Sequence, residues 1–159
     1  MAKLDLSLSE EELEGYLREG RTIRVATIGG DAWPHVVPLW FVWHDGTVFL
    51  NSTRGNPTVE NMLGDGRAAG VVDDGDTYEE LRGVVVTGRV EVAEDDPRLP
   101  EAERLWSAKY LGGNEPPYRR WRNRVWLRLV PERVASWDFR KIPEARERRH
   151  AERMGEGGG

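Results

Sequence analysis

Apolar and polar positions alternate in short runs along most of this chain, the period expected of strands. Thr22–Ile28 reads as one strand, closed by the tight turn Gly29-Gly30-Asp31. Val36–Trp43 is apolar on both faces, with Val37, Leu39, Phe41 and Trp43 on one side and Val36, Trp40 and Val42 on the other. Such a strand belongs inside a barrel or at a subunit interface. His44-Asp45-Gly46 is a hairpin turn leading into Thr47–Asn51. Ala68–Val72 is a short strand. Gly83–Val92 is a long one, with Val84, Val86, Val90 and Val92 opposite Thr87, Arg89 and Glu91. Two late strands, Val125–Val130 and Arg133–Trp137, are predicted on either side of Pro131-Glu132.

Helical spacing interrupts this pattern at three places. Ser9 is placed as an N-cap, Glu12 completes a capping box, and Leu8 and Leu13 form the staple of a helix over residues 9–19 that stops at Gly20. Pro57–Leu63 is a single short helix. Pro100–Leu111 carries Ala102, Leu105, Trp106 and Lys109 at helical spacing and ends at Gly112-Gly113. Beyond Lys141 the chain turns Arg/Glu-rich and then glycine-rich. Residues 143–159 are therefore expected to be a flexible tail, and residues 1–142 a single domain. Hairpin-linked strands with helices at the ends predict a mainly β fold with accessory helices, a six-stranded antiparallel barrel.

Composition narrows the function classes. The chain has 159 residues, a formal net charge of -5 and no cysteine. No broad positive field is available for nucleic acid or an anionic membrane. Disulfides, thiolate metal sites and a cysteine nucleophile are excluded. No run approaches the roughly 18 apolar residues of a membrane span, and the polar N-terminus lacks a signal-peptide core, so a cytoplasmic protein is expected. Seven tryptophans are a heavy load for this length, suited to a core, an interface or a flat-ligand pocket.

Chemistry concentrates in Asn51-Ser52-Thr53-Arg54-Gly55-Asn56-Pro57-Thr58. This run leaves a buried strand, supplies hydrogen-bond donors and one fixed positive charge, and enters a helix N-terminus. Backbone N–H groups and the helix dipole favour an anion there, and Arg54 adds a charged contact. The same residues also suit an ordinary strand-to-helix loop capped by Asn56 or Thr58. Elsewhere the signals are weaker. His35, His44 and His150 have no matching carboxylates, and no metal site is expected. His44 is simplest as a turn residue and His35 as a solvent-facing one. Asp73-Asp74-Gly75-Asp76 lacks the further ligands of a calcium loop. Tyr78 is a surface or packed tyrosine that could donate a proton. Tyr118–Arg124 is the one basic and aromatic cluster, suited to lining a pocket mouth, to ion pairing or to an anionic strand.

The run Trp33–Trp43, then Asp45-Gly46, Val48-Phe49-Leu50, Thr53-Arg54-Gly55 and Asn61-Met62-Leu63, resembles the pyridoxamine 5'-phosphate oxidase-like split barrels. Leu81-Arg82-Gly83-Val84, Gly88 and Ser136-Trp137-Asp138-Phe139 continue the resemblance, which covers residues 20 to 140. It implies a split barrel that forms a homodimer, with cofactor sites at the subunit interface. It also implies FMN or the deazaflavin F420 as cofactor, the Thr53-Arg54-Gly55 loop being closer to the F420 branch. On this sequence the cofactor-binding residues would be Ser52, Thr53, Arg54 and Asn56 at the phosphate, and Pro38, Leu39 and Trp40 along the ring. Asn61 would follow the phosphate loop, and Trp137 would come from the partner subunit. A lysine common in such proteins near Pro57 or Thr58 is missing, which leaves Arg54 as the only local cation of the loop. The resemblance thus implies an FMN- or F420-dependent oxidoreductase transferring hydride to or from a small molecule. A barrel that sequesters a flavin, a tetrapyrrole or another aromatic ligand without turnover is the alternative.

Overall fold

Ser9 starts the first helix through a purely local device: its hydroxyl accepts the Glu12 N–H at 3.2 Å, while the Glu12 carboxylate accepts the Ser9 N–H at 2.7 Å. The computed structural model describes residues 4–116 and 123–156. Its elements are α1 (Glu10–Glu19), β1 (Thr22–Ile28), β2 (Pro34–His44), β3 (Thr47–Thr53), α2 (Pro57–Asp65), β4 (Arg67–Asp74), β5 (Arg82–Val92), α3 (Leu99–Leu111), β6 (Arg124–Asp138) and α4 (Ile142–Glu156). All strand pairs are antiparallel, and the order β1-β2-β3-β6-β5-β4 closes through β1 against β4. The predicted six-stranded barrel is thus the observed one. Closure gives every strand two neighbours, although β2 over Pro34–Trp40 pairs only with β1 and β6 beyond Leu129 pairs only with β5.

Alternation fills the barrel. Ile23, Val25, Leu50, Val84, Val86 and Leu127 are wholly buried in its interior cluster. A second cluster lies outside the wall, where α3 covers Val42, Phe49 and Trp126 with Ala102 and Trp106. That helix covers only part of β2. Phe41, Val42 and Trp43 are buried on both faces, but Val36 and Trp40 are more than half exposed on the outer wall. The strand expected to be buried on both sides along its length is therefore so only at its C-terminal end.

Two expectations change. The late strands at Val125–Val130 and Arg133–Trp137 are one continuous strand, β6. Opposite Gly88 the register shifts, Thr87 pairing with Arg133 and Gly88 with Pro131, and the extra residue Glu132 bulges out. Pro131 has no N–H to give a ladder, and a bulge is how a strand absorbs that loss. Residues 143–159, read as a flexible tail, instead continue as α4 as far as Glu156. Glutamate, arginine and alanine are strong helix formers, Glu144 and Arg148 pair at 3.7 Å, and Ala145 is buried. Among the described residues, no helix is long and apolar enough to cross a membrane, and no group of three His, Asp or Glu residues is placed to hold a metal ion.

Candidate functional site

The loop from β3 into α2 is built by Asn56. Its side-chain oxygen accepts the Val59 N–H at 2.9 Å as the N-cap of α2, and its amide donates to Ser52 Oγ at 3.0 Å. Pro57 follows in the first turn, where a missing N–H costs nothing. The neighbouring donors are also engaged within the chain. The Arg54 N–H donates to Asn123 O at 2.8 Å, which ties the loop to the start of β6. Gly55, at φ +85°, donates its N–H to Glu60 Oε1 at 3.0 Å. The Arg54 guanidinium donates to both oxygens of Glu94, at 3.0 and 3.3 Å, and both side chains are about half exposed.

Ser52, Thr53, Arg54 and Asn56 therefore lie together in the loop from β3 into α2. Two adjacent donors of the loop, the Arg54 guanidinium and the Gly55 N–H, each face a carboxylate of the same chain. Arg124 joins from β6, donating to Asn51 Oδ1 at 2.8 Å and to Thr53 Oγ1 at 3.0 Å. Asn51 is buried, and its side-chain amide nitrogen has no partner among the described residues. Of the basic-aromatic cluster Tyr118–Arg124, residues 118–122 lie outside the described residues.

Asn61 donates to Thr27 Oγ1 at 3.1 Å, which fastens α2 to β1. Beside it, a groove of about 350 Å³ runs between the β1–β2 turn and α2, lined by Gly30, Trp33, His35, Pro57 and Asn61. Trp33 stands 74% exposed at its rim. His35 is half-buried rather than solvent-facing: its Nε2 lies 3.0 Å from Thr58 Oγ1. Thr58 itself is buried. Where the resemblance implied a lysine, near Pro57 or Thr58, this chain has a buried hydroxyl held against an imidazole.

Pro38, Leu39 and Trp40 divide between the faces of β2. Leu39 packs against the interior cluster, whereas Pro38 and Trp40 point outward with Val36. One face of Trp40 is covered by Tyr110, stacked at 4.4 Å and 4°, and Trp106 meets it edge-on at 6.2 Å. Tyr110 is locked in turn: its hydroxyl accepts the Phe41 N–H at 3.0 Å and donates to Phe41 O or Arg21 O. Burial pushes that phenol up to about 12. Next to it Lys109 donates to Gly20 O at 2.7 Å, and burial, with Arg21 nearby, brings its ammonium down to about 8. This aromatic and cationic backing on α3 was not singled out from the sequence, because it depends on how α3 crosses β2.

Trp137 does not join these residues within one chain. It pairs opposite Gly83 on β5, and its ring lies where a Cβ on Gly83 would sit. Around the barrel, β5, β4 and β1 separate it from β2 on one side, and β3 separates the two strands on the other.

A family model described as pyridoxamine 5'-phosphate oxidase matches residues 9–138. The chain belongs to that family. Among solved structures it is similar to a conserved hypothetical protein from Mycobacterium tuberculosis, with 30% identity and a TM-score of 0.79 over 90% of this chain and 92% of that one. It is also similar to a FAD-binding protein from Mesorhizobium loti, with 26% identity and a TM-score of 0.65 over 82% and 93% of the two chains. An F420 reductase is 25% identical, with a TM-score of 0.60 over 76% of this chain and 94% of that one. A comparison with curated proteins gives no match.

Proposed function

We propose that this chain binds a flavin-type cofactor, FMN or F420, and acts as an oxidoreductase on a small molecule. The observation that carries the reading is the β3–α2 loop. There the Arg54 guanidinium and the Gly55 N–H already hold carboxylate oxygens, and an incoming phosphate would present the same kind of acceptor. Family membership and the similarity to a FAD-binding protein and an F420 reductase support the same assignment.

The residues fit such a group if the internal carboxylates give way. An ion pair as exposed as Arg54 with Glu94 is worth no more than about 1 kcal/mol, so exchanging its carboxylate for a phosphate costs little. Ser52, Thr53 and Asn56 then shape the seat, with Asn61 holding α2 in place beside it. Along β2, Pro38 and Trp40 offer an apolar surface whose far side is fixed by Tyr110, and Leu39 anchors the strand from within. When bound, the cofactor supplies hydride donation or acceptance at its ring. The chain binds and orients it and keeps water from the reacting face.

The reading includes a homodimer. Val36, Pro38 and the face of Trp40 turned away from Tyr110 form an apolar stretch that no element covers among the described residues, and Trp137 can approach β2 only from a second copy. Sedimentation equilibrium at micromolar concentration is expected to give twice the 18.1 kDa chain mass. A stable monomer would remove both the interface and the role of Trp137.

The direct test titrates purified protein with FMN and, in parallel, with F420, following tryptophan fluorescence. Saturable quenching at micromolar concentration by one of them names the cofactor. Arg54→Ala is expected to weaken that binding by about 1 to 2 kcal/mol, roughly five- to thirtyfold, as loss of a part-exposed charged hydrogen bond does. Unchanged affinity would remove the loop from the site. A second reading, sequestration of a flavin or tetrapyrrole without turnover, is favoured by one observation: the Arg54 guanidinium and the Gly55 N–H are already paired within the chain, and Tyr110, stacked behind Trp40, is locked onto the main chain. Saturable binding with no oxidation or reduction of the bound ring by any added small molecule would support it.

A further inference from the structure

Glu60 and Glu94 reach the same loop from opposite directions. Glu60 sits in the first turn of α2 and folds back onto the Gly55 N–H. Glu94 follows β5 and meets the Arg54 guanidinium with both oxygens. Neither carboxylate is needed to close the helix end, because Asn56 already caps α2 through Val59. Neither is buried in the core. Both are exposed acids placed on the donors that an anionic ligand would use. Other charged or titratable side chains bonded at the loop include Arg54 itself, Arg124 on Asn51 and Thr53, and His35 on Thr58. A phosphate entering here has to displace the two carboxylates and then sit beside them.

Resting on the flavin reading above, we propose that Glu60 and Glu94 are specificity-determining residues of this seat. They bias it toward a cofactor whose phosphate groups each carry one negative charge, as in a phosphodiester or diphosphate diester, and against a dianionic phosphate monoester. The physical ground is the linear dependence of charge repulsion on ligand charge. Two fixed carboxylates at a given distance repel a dianion about twice as strongly as a monoanion, and so cancel the equally doubled pull that Arg54 and Arg124 exert on it. A lysine near Thr58 would offset that repulsion, and Thr58 is instead a buried hydroxyl turned to His35. Sequence and geometry therefore act in one direction: a cation is absent at one side of the loop, and an acid faces each of its two leading donors.

The test compares three ligands that share a ring and differ in charge per phosphate group: riboflavin with no phosphate, FMN with one dianionic phosphate and FAD with two monoanionic ones. Each is titrated by fluorescence against the full chain and against Glu60→Gln, Glu94→Gln and the double variant, at one pH near 8 where the FMN phosphate is a dianion. Both glutamates are exposed, so the amides are expected to leave the melting temperature unchanged, which checks that the fold is intact. Each substitution is expected to tighten FMN by about two- to fivefold, FAD by less, and riboflavin not at all. The double variant should narrow any preference for FAD over FMN. Equal shifts for all three ligands, or none for FMN, would overturn the proposal while leaving flavin binding in place. A chain that binds none of the three, before or after substitution, and does not bind F420 in the parallel titration, overturns the flavin reading itself and this inference with it.

Discussion

Replacing Gly88 with alanine is expected to destabilise the barrel by at least about 3 kcal/mol, enough to deplete folded protein at 37 °C. A Cβ at this position would stand 1.9 Å from Val130 O, 2.9 Å from the Val130 carbonyl carbon and 3.0 Å from the Glu132 N. All three atoms are backbone, so no rotamer change relieves the clash. The close approach exists because β6 bulges there around Pro131, and the bulge lets one strand serve both as the neighbour of β3 and as the long partner of β5. Alanine would force β5 and β6 apart at the bulge, where the register of the last third of the barrel is set. Urea unfolding at neutral pH measures the effect. Gly30→Ala is the control, because a Cβ there meets nothing within 4 Å, and it is expected to stay within about 0.5 kcal/mol of the parent chain. A variant of Gly88 as stable as the control would mean that the strands are not held this closely.

The same bulge marks the limit of what the sequence discloses. The capping box at Ser9 and Glu12 and the alternation in β5 are legible because they involve residues a few positions apart. Pro131 looks like a break for the same local reason: it cannot donate to a ladder. What carries the strand past it is a glycine more than forty positions earlier, and no local pattern links the two. The tail fails differently. Its composition suits either a solvated chain or a helix, and the burial of Ala145 tips the balance only once the fold exists. At the loop, residue types and order disclose the donors Arg54, Gly55 and Asn56, but not their acceptors. Glu60 was within reach of a local argument, since an acid in the first turn of a helix sits close to the preceding N–H groups. Glu94 and the pairing of His35 with Thr58 depend on tertiary contact. Trp40 was legible as an interface or ring-facing residue; its locked partner Tyr110 was not.

The second large effect is electrostatic and is expected from Asp96→Asn. The Asp96 side chain is almost wholly buried between two arginines, accepting from Arg98 at 2.8 and 3.0 Å and from Arg128 at 2.5 Å. Arg98 continues to Thr47 Oγ1 at 2.8 Å and Asp45 O at 3.2 Å, while Arg128 also holds Glu91. One carboxylate therefore ties the segment between β5 and α3 to the β2–β3 turn and to β6. Removing its charge leaves two guanidiniums facing each other across a neutral amide, and the expected cost is about 3 kcal/mol, the low end for breaking a buried pair because both arginines keep some contact with water. The pH dependence gives a stricter test. The Arg98 guanidinium bonded to Asp96, helped by the Arg98 N–H and then by Arg128, holds this carboxyl far below the usual aspartate range, against the opposing effect of burial. A group whose value is depressed by folding stabilises the folded chain above its unfolded value, about 4, and loses that contribution as the pH falls toward its folded value. The difference in urea midpoint between parent and Asp96→Asn should therefore be full at pH 7, begin to shrink below about pH 4, and be smallest at the lowest pH at which the parent still folds. Glu94 lies on the same tied segment, so the variant should also loosen the carboxylate from Arg54 and raise affinity for an anionic ligand at that loop. A difference in midpoint that stays constant down to pH 2 would mean that Asp96 acts by shape and not by charge, and then the loop at Arg54 should be unaffected.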